Sequence, residues 1–308
     1  MACIDISCAV RQYAPGRGVC NVSLSVEEGV CCALLGRNGS GKSTLTRLLL
    51  GLARPQSGRI AVFGNVVSEG SRNHLKRTGV VLDTSVHWDN LSGYDNAYFV
   101  ARSYGLSHAL VKERLINYLQ AADLQEWADQ PVAGYSYGMR RKLSIVQALS
   151  HEPDLLIMDE PTAGVDAHFL TRLTKMVQDR SLRGRTTWIA GNDPEWVSGV
   201  SAKVFFLDRG SIVAKGSVDD LVGETGSLSE LRILLEGYTP IAPPPFSWVR
   251  SFVREGRVVT VFLDKETFLI PELVEWIVSH GGSIIRMETI GGTLRDAFLL
   301  KTGKTIEA

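Results

Sequence analysis

The chain has 308 residues, of which 44% are hydrophobic and 21% charged, so it can bury a substantial core and extensive disorder is excluded. Its 33 basic and 33 acidic residues cancel, which leaves no global field to attract nucleic acid, and we expect no nucleic-acid partner. No apolar stretch approaches the ~20 residues that span a bilayer. No signal peptide is visible, because Asp5 interrupts the start of the chain. If the protein serves a membrane, a partner must cross it.

Short apolar runs alternate with helical patterns over the first two hundred residues. Runs of this kind are typical of strands that are buried on both faces, so we predict an α/β domain with a largely parallel core sheet. The predicted strands are residues 30–35, 155–158, 186–190 and 204–207, and the predicted helices are residues 43–50, 111–121, 140–150 and 167–179. A mostly helical segment, from about 88 to 135, interrupts the alternation and is predicted to be an inserted subdomain.

The tail of the chain has a different pattern. A stretch rich in Gly, Ser and Thr at 223–229 predicts a boundary, with a first domain over 1–224 and a second over 225–308. Beyond the boundary we predict strands at 231–235 and 258–263 with a proline loop at 243–245 between them, then a helix at 268–279, a strand at 283–287 and a helix at 293–300. The second domain is therefore predicted to be a small α+β module.

A glycine-rich loop follows the first predicted strand. Residues 36–43, GRNGSGKS, fit the pattern G-x-x-x-x-G-K-[ST] between a strand and a helix, which is the context that a phosphate-binding loop requires. Gly36, Gly39 and Gly41 let backbone N–H groups face phosphate oxygens, with Asn38, Ser40 and Thr44 beside them, while the helix N-terminus adds its positive dipole. We expect Lys42 to reach the β- and γ-phosphates of ATP and Ser43 to bind Mg²⁺. The alternative is a glycine turn with no ligand.

Two acids end the strand at 155–158. In a parallel sheet the carboxyl ends of the strands line the ligand crevice, so we expect Asp159 to hold Mg²⁺ and Glu160 to polarise the attacking water. The alternative is a pair of acids at a helix N-terminus, because Pro161 follows and is a common first residue of helices.

Upstream of these acids, residues 135–143 read YSYGMRRKL. This segment resembles the signature motif of the ATP-binding cassette (ABC) ATPases, commonly LSGGQ, in the form found in export-type members. Ser136 and Gly138 match, whereas Tyr137 replaces a glycine and Met139 replaces a glutamine. Physically, the segment is a loop of small residues that opens a basic helix, a second phosphate-binding device.

Further matches extend the resemblance over about residues 3–225. Tyr13 lies where the family stacks an aromatic ring on adenine, although it also suits an ordinary strand. Residues 163–166 match the family's loop after the acid strand, and residues 206–210 match its closing strand and turn. Residues 292–303 are similar to the end of the C-terminal extension in export-type members.

The resemblance implies a P-loop NTPase fold, namely an ABC ATPase domain with a helical subdomain, and an activity of ATP hydrolysis coupled to transport. It also implies two partners. Ser136, Gly138 and Met139 would contact ATP that is held by a second ATPase subunit, in a homo- or heterodimer. Residues 88–94 lie in the segment that the family docks against a transmembrane permease, which would hold the protein at the cytoplasmic face of the cell membrane.

Two positions depart from the family pattern. Asp83 occupies the place of a glutamine that touches Mg²⁺ and the attacking water, and an aspartate still accepts hydrogen bonds from water or ligates the ion. Asn192 occupies the place of a histidine that reaches the γ-phosphate, and an amide carries no charge. Losing such a group costs ~10²–10⁴-fold in rate, so we predict slow turnover unless another group compensates or Asn192 suffices for positioning. His87 lies near Asp83 in sequence, and the other histidines are predicted to lie at the surface: His74, His108, His151, His168 and His280.

Three functions compete. The leading one is the ATP-hydrolysing subunit of an ABC exporter that powers a separate permease. The alternative is a weakly hydrolysing nucleotide switch in a heterodimer, against which the intact Glu160 argues. A soluble ABC ATPase that acts on DNA or ribosomes is disfavoured by the balanced charge and by the lack of tandem cassettes or long coiled coils. The C-terminal module would stabilise a dimer or sense a ligand.

Overall fold

The computed structural model describes residues 2–14, 16–68, 73–84, 86–223, 229–236, 244–263, 270–290 and 292–306. The chain divides into two compact units, Met1–Val218 with Thr305–Ala308, and Asp219–Lys304. The predicted boundary at 224/225 lies outside the described residues. So do the start of the predicted helix at 268–269 and the first residue of the proline loop, Pro243.

The first unit combines two sheets with helices. Its strands are β1 (Ala2–Ala14), β2 (Arg17–Glu27), β3 (Cys31–Leu35), β4 (Ser57–Val62), β5 (Asn65–Val66), β6 (Thr78–Val81), β7 (Leu155–Asp159), β8 (Thr186–Gly191), β9 (Lys203–Asp208) and β10 (Ser211–Gly216). Its helices are α1 (Lys42–Leu49), α2 (Gly93–Ser103), α3 (His108–Ala121), α4 (Tyr137–Leu149), α5 (Ala167–Leu182) and α6 (Pro194–Val200). A further helix, α7 (Val218–Gly223), begins at Val218, and its other residues belong to the second unit.

The larger sheet has the strand order β10-β9-β3-β8-β7-β6. Every pairing from β9 to β6 is parallel, and β10 is added antiparallel to β9. The prediction of an α/β fold with a largely parallel core sheet is therefore confirmed. The carboxyl ends of β3, β7 and β6 meet at one edge, so the loops that follow them are neighbours in space although they are far apart in sequence.

A second sheet, of order β2-β1-β4-β5, is antiparallel and was not predicted from the sequence. Its strands bury only one face, and in β1 and β2 the alternation of buried and exposed residues is broken by register shifts. Apolar side chains of β1, β2 and β4 form one core cluster with Leu45 and Leu48 of α1 and with Trp188 of β8. This core fixes α1, and with it the loop that precedes the helix.

Residues 88–135, predicted to be a helical insertion, contain α2, α3 and two short 3₁₀ turns, Gln125–Trp127 and Val132–Gly134. Ser92 and Ser107 cap α2 and α3 by accepting hydrogen bonds from backbone N–H groups of their first turns. No helix among the described residues is long and apolar enough to cross a membrane.

The second unit contains β11 (Ser229–Leu235), β12 (Val249–Glu255), β13 (Val258–Leu263), α8 (Ile270–Ser279), β14 (Ile284–Ile290) and α9 (Leu294–Thr302). Its antiparallel sheet has the order β12-β13-β11-β14. Leu273 and Ile277 of α8 pack with Leu231, Ile233 and Val261 in its core. Strand β12 was not predicted, and the other elements occur near their predicted positions.

Candidate functional site

The phosphate loop is held by close backbone contacts that only glycine allows. A Cβ atom at Gly41, whose φ is +113°, would overlap the carbonyl oxygen of Gly18, and one at Gly36 would overlap that of Leu207. Gly41 precedes the first residue of α1 and offers no capping side chain. The first N–H groups of α1 therefore have no side-chain cap and are available to an anion.

Lys42 extends from this loop into the site. Its side chain is 5% exposed, and its Nζ donates to the carbonyl oxygens of Gly36 at 2.7 Å and Arg37 at 3.3 Å. The same Nζ lies 3.2 Å from Oε1 of Glu160. The structure thus brings together the predicted phosphate-binding cation and the predicted water-activating acid.

An open pocket of about 550 Å³ surrounds these groups, a volume within the range of small-molecule and cofactor sites. The phosphate loop and the start of α1 contribute Asn38, Gly39, Gly41, Lys42, Ser43 and Thr44 to its lining. Three more predicted residues line it, Tyr13, Asp83 and Glu160. Gly36, Ser40 and Asp159 are not among the lining residues, and Ser40 and Asp159 are buried.

Sequence reasoning missed three lining residues: Arg17, Gly18 and Arg47. Arg17 and Gly18 begin β2, next to the turn after β1, and Arg47 is in the second turn of α1. The hairpin could have been found from the glycines at 16 and 18 that follow Tyr13. Arg47 could have been found because it lies one helical turn beyond Ser43 and therefore on the same face of α1.

Asp159 lies at the end of β7 and is 3% exposed. Burial raises its pKa, the hydrogen bond with Ser43 opposes the shift, and the nearby Glu160 carboxylate adds to it. Among the described residues, Oδ1 of Asp159 has no hydrogen-bond partner. A buried carboxylate oxygen without a partner is costly, so Ser43 and Asp159 together suit a hard cation such as Mg²⁺.

The protein side chains alone do not enclose such an ion. Within the described ranges, no group of three or more His, Cys, Asp or Glu side chains is arranged to hold a metal. The residues therefore fit an ion that takes only one or two protein carboxylates and completes its shell with phosphate oxygens and water, as Mg²⁺ commonly does.

Glu160 follows Asp159 in a left-handed backbone conformation, with φ +50°. Such a conformation is uncommon for a residue other than glycine and costs of order 1–3 kcal/mol. The N–H of Glu160 donates to the carbonyl oxygen of Ala190 at 2.7 Å, which fixes this turn to the end of β8.

Arg141 of α4 donates hydrogen bonds to the backbone of both acid-bearing segments, the one after β6 and the one at the end of β7. Its side chain is fully buried, and its Nη2 donates to the carbonyl oxygens of Asp159 at 3.0 Å and Glu160 at 2.6 Å. Its Nη1 donates to the carbonyl oxygens of Leu82 and Asp83, the latter at 3.3 Å. One guanidinium therefore ties the end of β7 to the segment after β6.

The basic side chains at the start of α4 bind groups of this chain. Arg140 pairs with Asp89 at 2.6 Å, and Lys142 pairs with Asp166 at 2.7 Å. Together with the buried Arg141, these side chains therefore bind groups of this chain. Hydrogen bonding with Lys142 lowers the pKa of Asp166 to about 2.

The signature residues lie outside the pocket of their own chain. Ser136 caps α4 by accepting from the N–H of Met139 at 3.2 Å, and Tyr137 is 56% exposed. A Cβ atom at Gly138 would overlap the carbonyl oxygen of Gly164, so the signature loop packs tightly on the loop that follows Glu160. Ser136, Gly138 and Met139 are absent from the residues that line the pocket.

Asn192 follows β8, half-buried, and does not line the pocket. The next residue, Asp193, caps α6 by accepting from the N–H of Trp196 at 3.0 Å. His87 does not compensate for Asn192, because its Nε2 lies 3.0 Å from the carbonyl oxygen of Arg140 and 3.2 Å from Oγ of Ser144. Burial lowers the pKa of His87.

The prediction that the remaining histidines lie at the surface is wrong for His74, and His151 is half-buried. His74 is 3% exposed, with Nε2 3.0 Å from the carbonyl oxygen of Leu49. His151 stacks on Tyr104 with 3.6 Å between the ring centroids, and burial lowers its pKa to about 4. His108, His168 and His280 are exposed as predicted.

The strand, phosphate loop and helix, with Lys42 beside Glu160, define a nucleotide-binding ATPase domain of the P-loop class. Comparison with known proteins identifies the family. Residues 19–163 match the model of the ABC transporter family. The linearmycin resistance ATP-binding protein LnrL of Bacillus subtilis (strain 168) is 31% identical over 304 residues, which cover 96% of this chain and 97% of that protein.

The Nod factor export ATP-binding protein I of Rhizobium sp. (strain N33) is 32% identical over 308 residues, covering 99% of this chain and 98% of that protein. A solved structure of an ATP-binding subunit of an ABC transporter is 27% identical with a TM-score of 0.67, over 72% of this chain and 92% of that one. The chain therefore belongs to the ABC transporter family as an ATP-binding protein and is an ATPase, which confirms the resemblance found in the sequence.

Proposed function

We propose that the chain is the ATP-hydrolysing subunit of an ABC exporter and works from the cytoplasmic face of the membrane through a separate transmembrane permease. The observation that carries the proposal is the meeting of Lys42 and Glu160, 3.2 Å apart, in a pocket that the phosphate loop lines. The names of the two relatives, one for Nod factor export and one for linearmycin resistance, support the direction of transport.

The residues divide the chemical work. Backbone N–H groups of residues 36–43 and the Lys42 ammonium bind the phosphates, and Tyr13, which is 53% exposed at the pocket, offers its ring to adenine. Ser43, Asp159 and Asp83 would hold Mg²⁺, which when bound neutralises charge on the β- and γ-phosphates. Glu160 orients the attacking water and accepts its proton.

A second ATPase subunit completes the site in this proposal. Ser136, Gly138 and Met139 lie outside the pocket of their own chain, at the N-terminus of α4. The Ser136 hydroxyl, the N–H of Gly138 and the helix dipole suit the phosphates of a nucleotide that a partner subunit holds. The partner is a second copy of the chain or a related subunit.

An aromatic surface on the helical segment supports the docking of a permease. Trp88 is 55% exposed and Phe99 is 50% exposed, with ring centroids 6.3 Å apart. Tyr98 lies 6.0 Å from Phe99, and Tyr94 lies 6.0 Å from Tyr98. Clustered exposed rings of this kind are typical of protein interfaces, and this cluster begins five residues after Asp83.

The catalytic part is tested with Glu160→Gln. This variant is expected to keep ATP affinity, because Lys42 and the loop are unchanged, and to lose ~10²-fold or more in turnover. Glu126→Gln, an exposed change of the same type, is the control and is expected to match the native protein. Unchanged turnover in Glu160→Gln would remove Glu160 from the mechanism.

The docking part is tested by co-expressing the ATPase with a candidate membrane protein of about six transmembrane helices and purifying the two together. The double variant Trp88→Ala/Phe99→Ala is expected to lose co-purification while it keeps basal ATPase activity. Trp127→Ala is the control, since Trp127 is 44% exposed and lies outside the aromatic cluster. Equal recovery of the permease with all three proteins would refute the proposed surface.

Asn192 supports a second candidate, a weakly hydrolysing switch subunit, because its amide carries no charge and lies outside the lining of the pocket. Turnover of the native protein and of Asn192→His distinguishes the candidates. A several-fold gain in the variant over a slow native rate favours the switch. Fast native turnover with no gain favours the exporter engine.

A further inference from the structure

A smaller cavity lies at the opposite end of the core sheet from the nucleotide pocket. It encloses about 150 Å³, and its polar lining consists of Tyr118, Asp179, Arg180, Arg183 and Arg185, which we call the arginine pocket. Tyr118 is on α3, Asp179 and Arg180 are on α5, and the two other arginines are in the turn that leads to β8. The cavity lies at the start of β8, whereas the catalytic acids lie near its end. The six residues of β8 span about 18 Å, so the two sites are about that far apart.

Arg180 is a buried cation that uses its Nε and Nη2 groups as hydrogen-bond donors, while its Nη1 group remains available among the described residues. Its side chain is 6% exposed, and its Nε and Nη2 donate to Thr187 Oγ1 at 3.4 Å and to the carbonyl oxygens of Pro153 and Thr186 at 3.1 Å each. Within the described part of the chain, no group accepts a hydrogen bond from its Nη1. Burial lowers the pKa of Arg180 only to about 10, so the group stays charged at neutral pH.

Two further groups of the arginine pocket leave donors available. Neither the Oη of Tyr118 nor the guanidinium of Arg183 has a hydrogen-bond or ion-pair partner among the residues that the structure describes. Arg185 differs, because its Nη2 lies 3.0 Å from Oε2 of Glu152, which Arg114 also contacts at 3.4 Å. The lining therefore has three guanidinium groups and the carboxylate of Asp179. Glu152 beside it pairs with Arg185, which leaves Arg180 and Arg183 as the available cations of the described lining.

The volume limits what these donors bind. At about 150 Å³ the cavity is well below the nucleotide pocket of about 550 Å³, so it suits one tetrahedral oxyanion with few further atoms better than a nucleotide. Guanidinium groups bind phosphate oxygens through paired N–H donors, and the phenol O–H of Tyr118 adds a further hydrogen-bond donor. We propose that the arginine pocket is a binding site for a small phosphate-bearing anion, distinct from the ATP site.

The test uses inorganic phosphate as the probe and isothermal titration calorimetry as the measurement. The full chain is first saturated with Mg²⁺ and a non-hydrolysable ATP analogue, so that the phosphate loop is occupied. Phosphate is then titrated into the native protein and into the variants Arg183→Gln and Tyr118→Phe. Arg59→Gln is the control, because Arg59 is exposed on β4 and its loss removes the same charge far from the cavity.

Saturable binding in the native protein, about tenfold weaker in Arg183→Gln and severalfold weaker in Tyr118→Phe, is expected, since one charge-assisted hydrogen bond is worth about tenfold. Arg59→Gln is expected to bind as the native protein does. Absence of saturable binding, or equal weakening in Arg183→Gln and Arg59→Gln, would overturn the proposal. Circular dichroism and thermal unfolding of each variant confirm that the fold is intact.

Discussion

Arg141 allows the sharpest test of how the site is built, because one buried side chain holds two loops. Its guanidinium donates four hydrogen bonds to carbonyl oxygens, two on Leu82 and Asp83 and two on Asp159 and Glu160. Replacing it with glutamine leaves most of these acceptors without a partner, and the carbonyl oxygens of Asp159 and Glu160 are the more buried of them. Leaving a buried acceptor unsatisfied typically costs about 1–3 kcal/mol, so with two such acceptors we expect Arg141→Gln to destabilise the protein by about 2–5 kcal/mol.

The change is also expected to affect catalysis selectively. Lys42 and the phosphate loop do not contact Arg141, so the KM for ATP is expected to change little. The acid-bearing loops lose their common anchor, and the carboxylates of Asp83 and Glu160 are expected to drift from their positions. Since a misplacement of about 1 Å costs ~10²-fold, we expect kcat to fall by about that factor. Arg141→Lys keeps the charge but loses the paired N–H donors of the guanidinium, so its kcat is expected to lie between those of the native protein and Arg141→Gln.

Arg140→Gln is the matched control. Arg140 neighbours Arg141 on α4, but its side chain is 26% exposed and its partner Asp89 is 59% exposed. An exposed pair of this kind is worth about 0–1 kcal/mol. Thermal unfolding and steady-state ATPase kinetics measure both effects. If Arg141→Gln unfolds at the same temperature as Arg140→Gln and keeps its kcat, the reasoning about the buried anchor is refuted.

Three further predictions concern the same site. Gly41→Ala is expected to abolish ATP binding in a fluorescent-nucleotide assay, because its Cβ atom would overlap the backbone at φ +113°; native affinity would contradict the steric argument. Asp83→Gln is expected to raise the Mg²⁺ concentration that gives half-maximal ATPase activity, and an unchanged Mg²⁺ titration would exclude Asp83 as a ligand. The pKa of Asp166 is lowered to about 2, so its contribution to stability is present above pH ~4 and is lost as the pH falls towards 2. Asp166 is 55% exposed, so that contribution is below about 1 kcal/mol, and Asp166→Asn is expected to flatten the corresponding slope of unfolding temperature against pH; equal slopes would argue against it.

The parts of the fold that the sequence predicts well are those with one dominant local signal. Strands β3, β7, β8 and β9 are continuous apolar runs because both of their faces are buried, and each was found within a residue or two of its ends. The phosphate loop was found because a fixed spacing of glycines is a steric requirement. These signals depend on neighbours in the chain and not on the rest of the fold.

The missed parts depend on distant contacts. The antiparallel sheet of β1, β2, β4 and β5 is half-exposed and irregular in register, so its hydrophobic alternation is weak. The role of Arg141 was not predicted, because nothing in the local sequence states that the carbonyl oxygens of residues 82 and 160 converge on its guanidinium. The burial of His74 and the half-burial of His151 were missed for the same reason, since they come from α1 and from Tyr104.

The contacts of α4 explain how two distant parts of the site could act together. Ser136 caps the helix at the face proposed to meet the nucleotide of a partner subunit, and Arg141 lies five residues later, about 7.5 Å along the axis. Arg141 is bonded to the backbone of both Asp83 and Glu160, and Lys142 is bonded to Asp166 in the loop after Glu160. A helix is stiff over this length, so a shift of its N-terminus on nucleotide contact must move the anchors of the catalytic acids as well. In the proposed dimer, α4 with the two cations of its second turn, Arg141 and Lys142, is therefore sufficient to couple the two nucleotide sites.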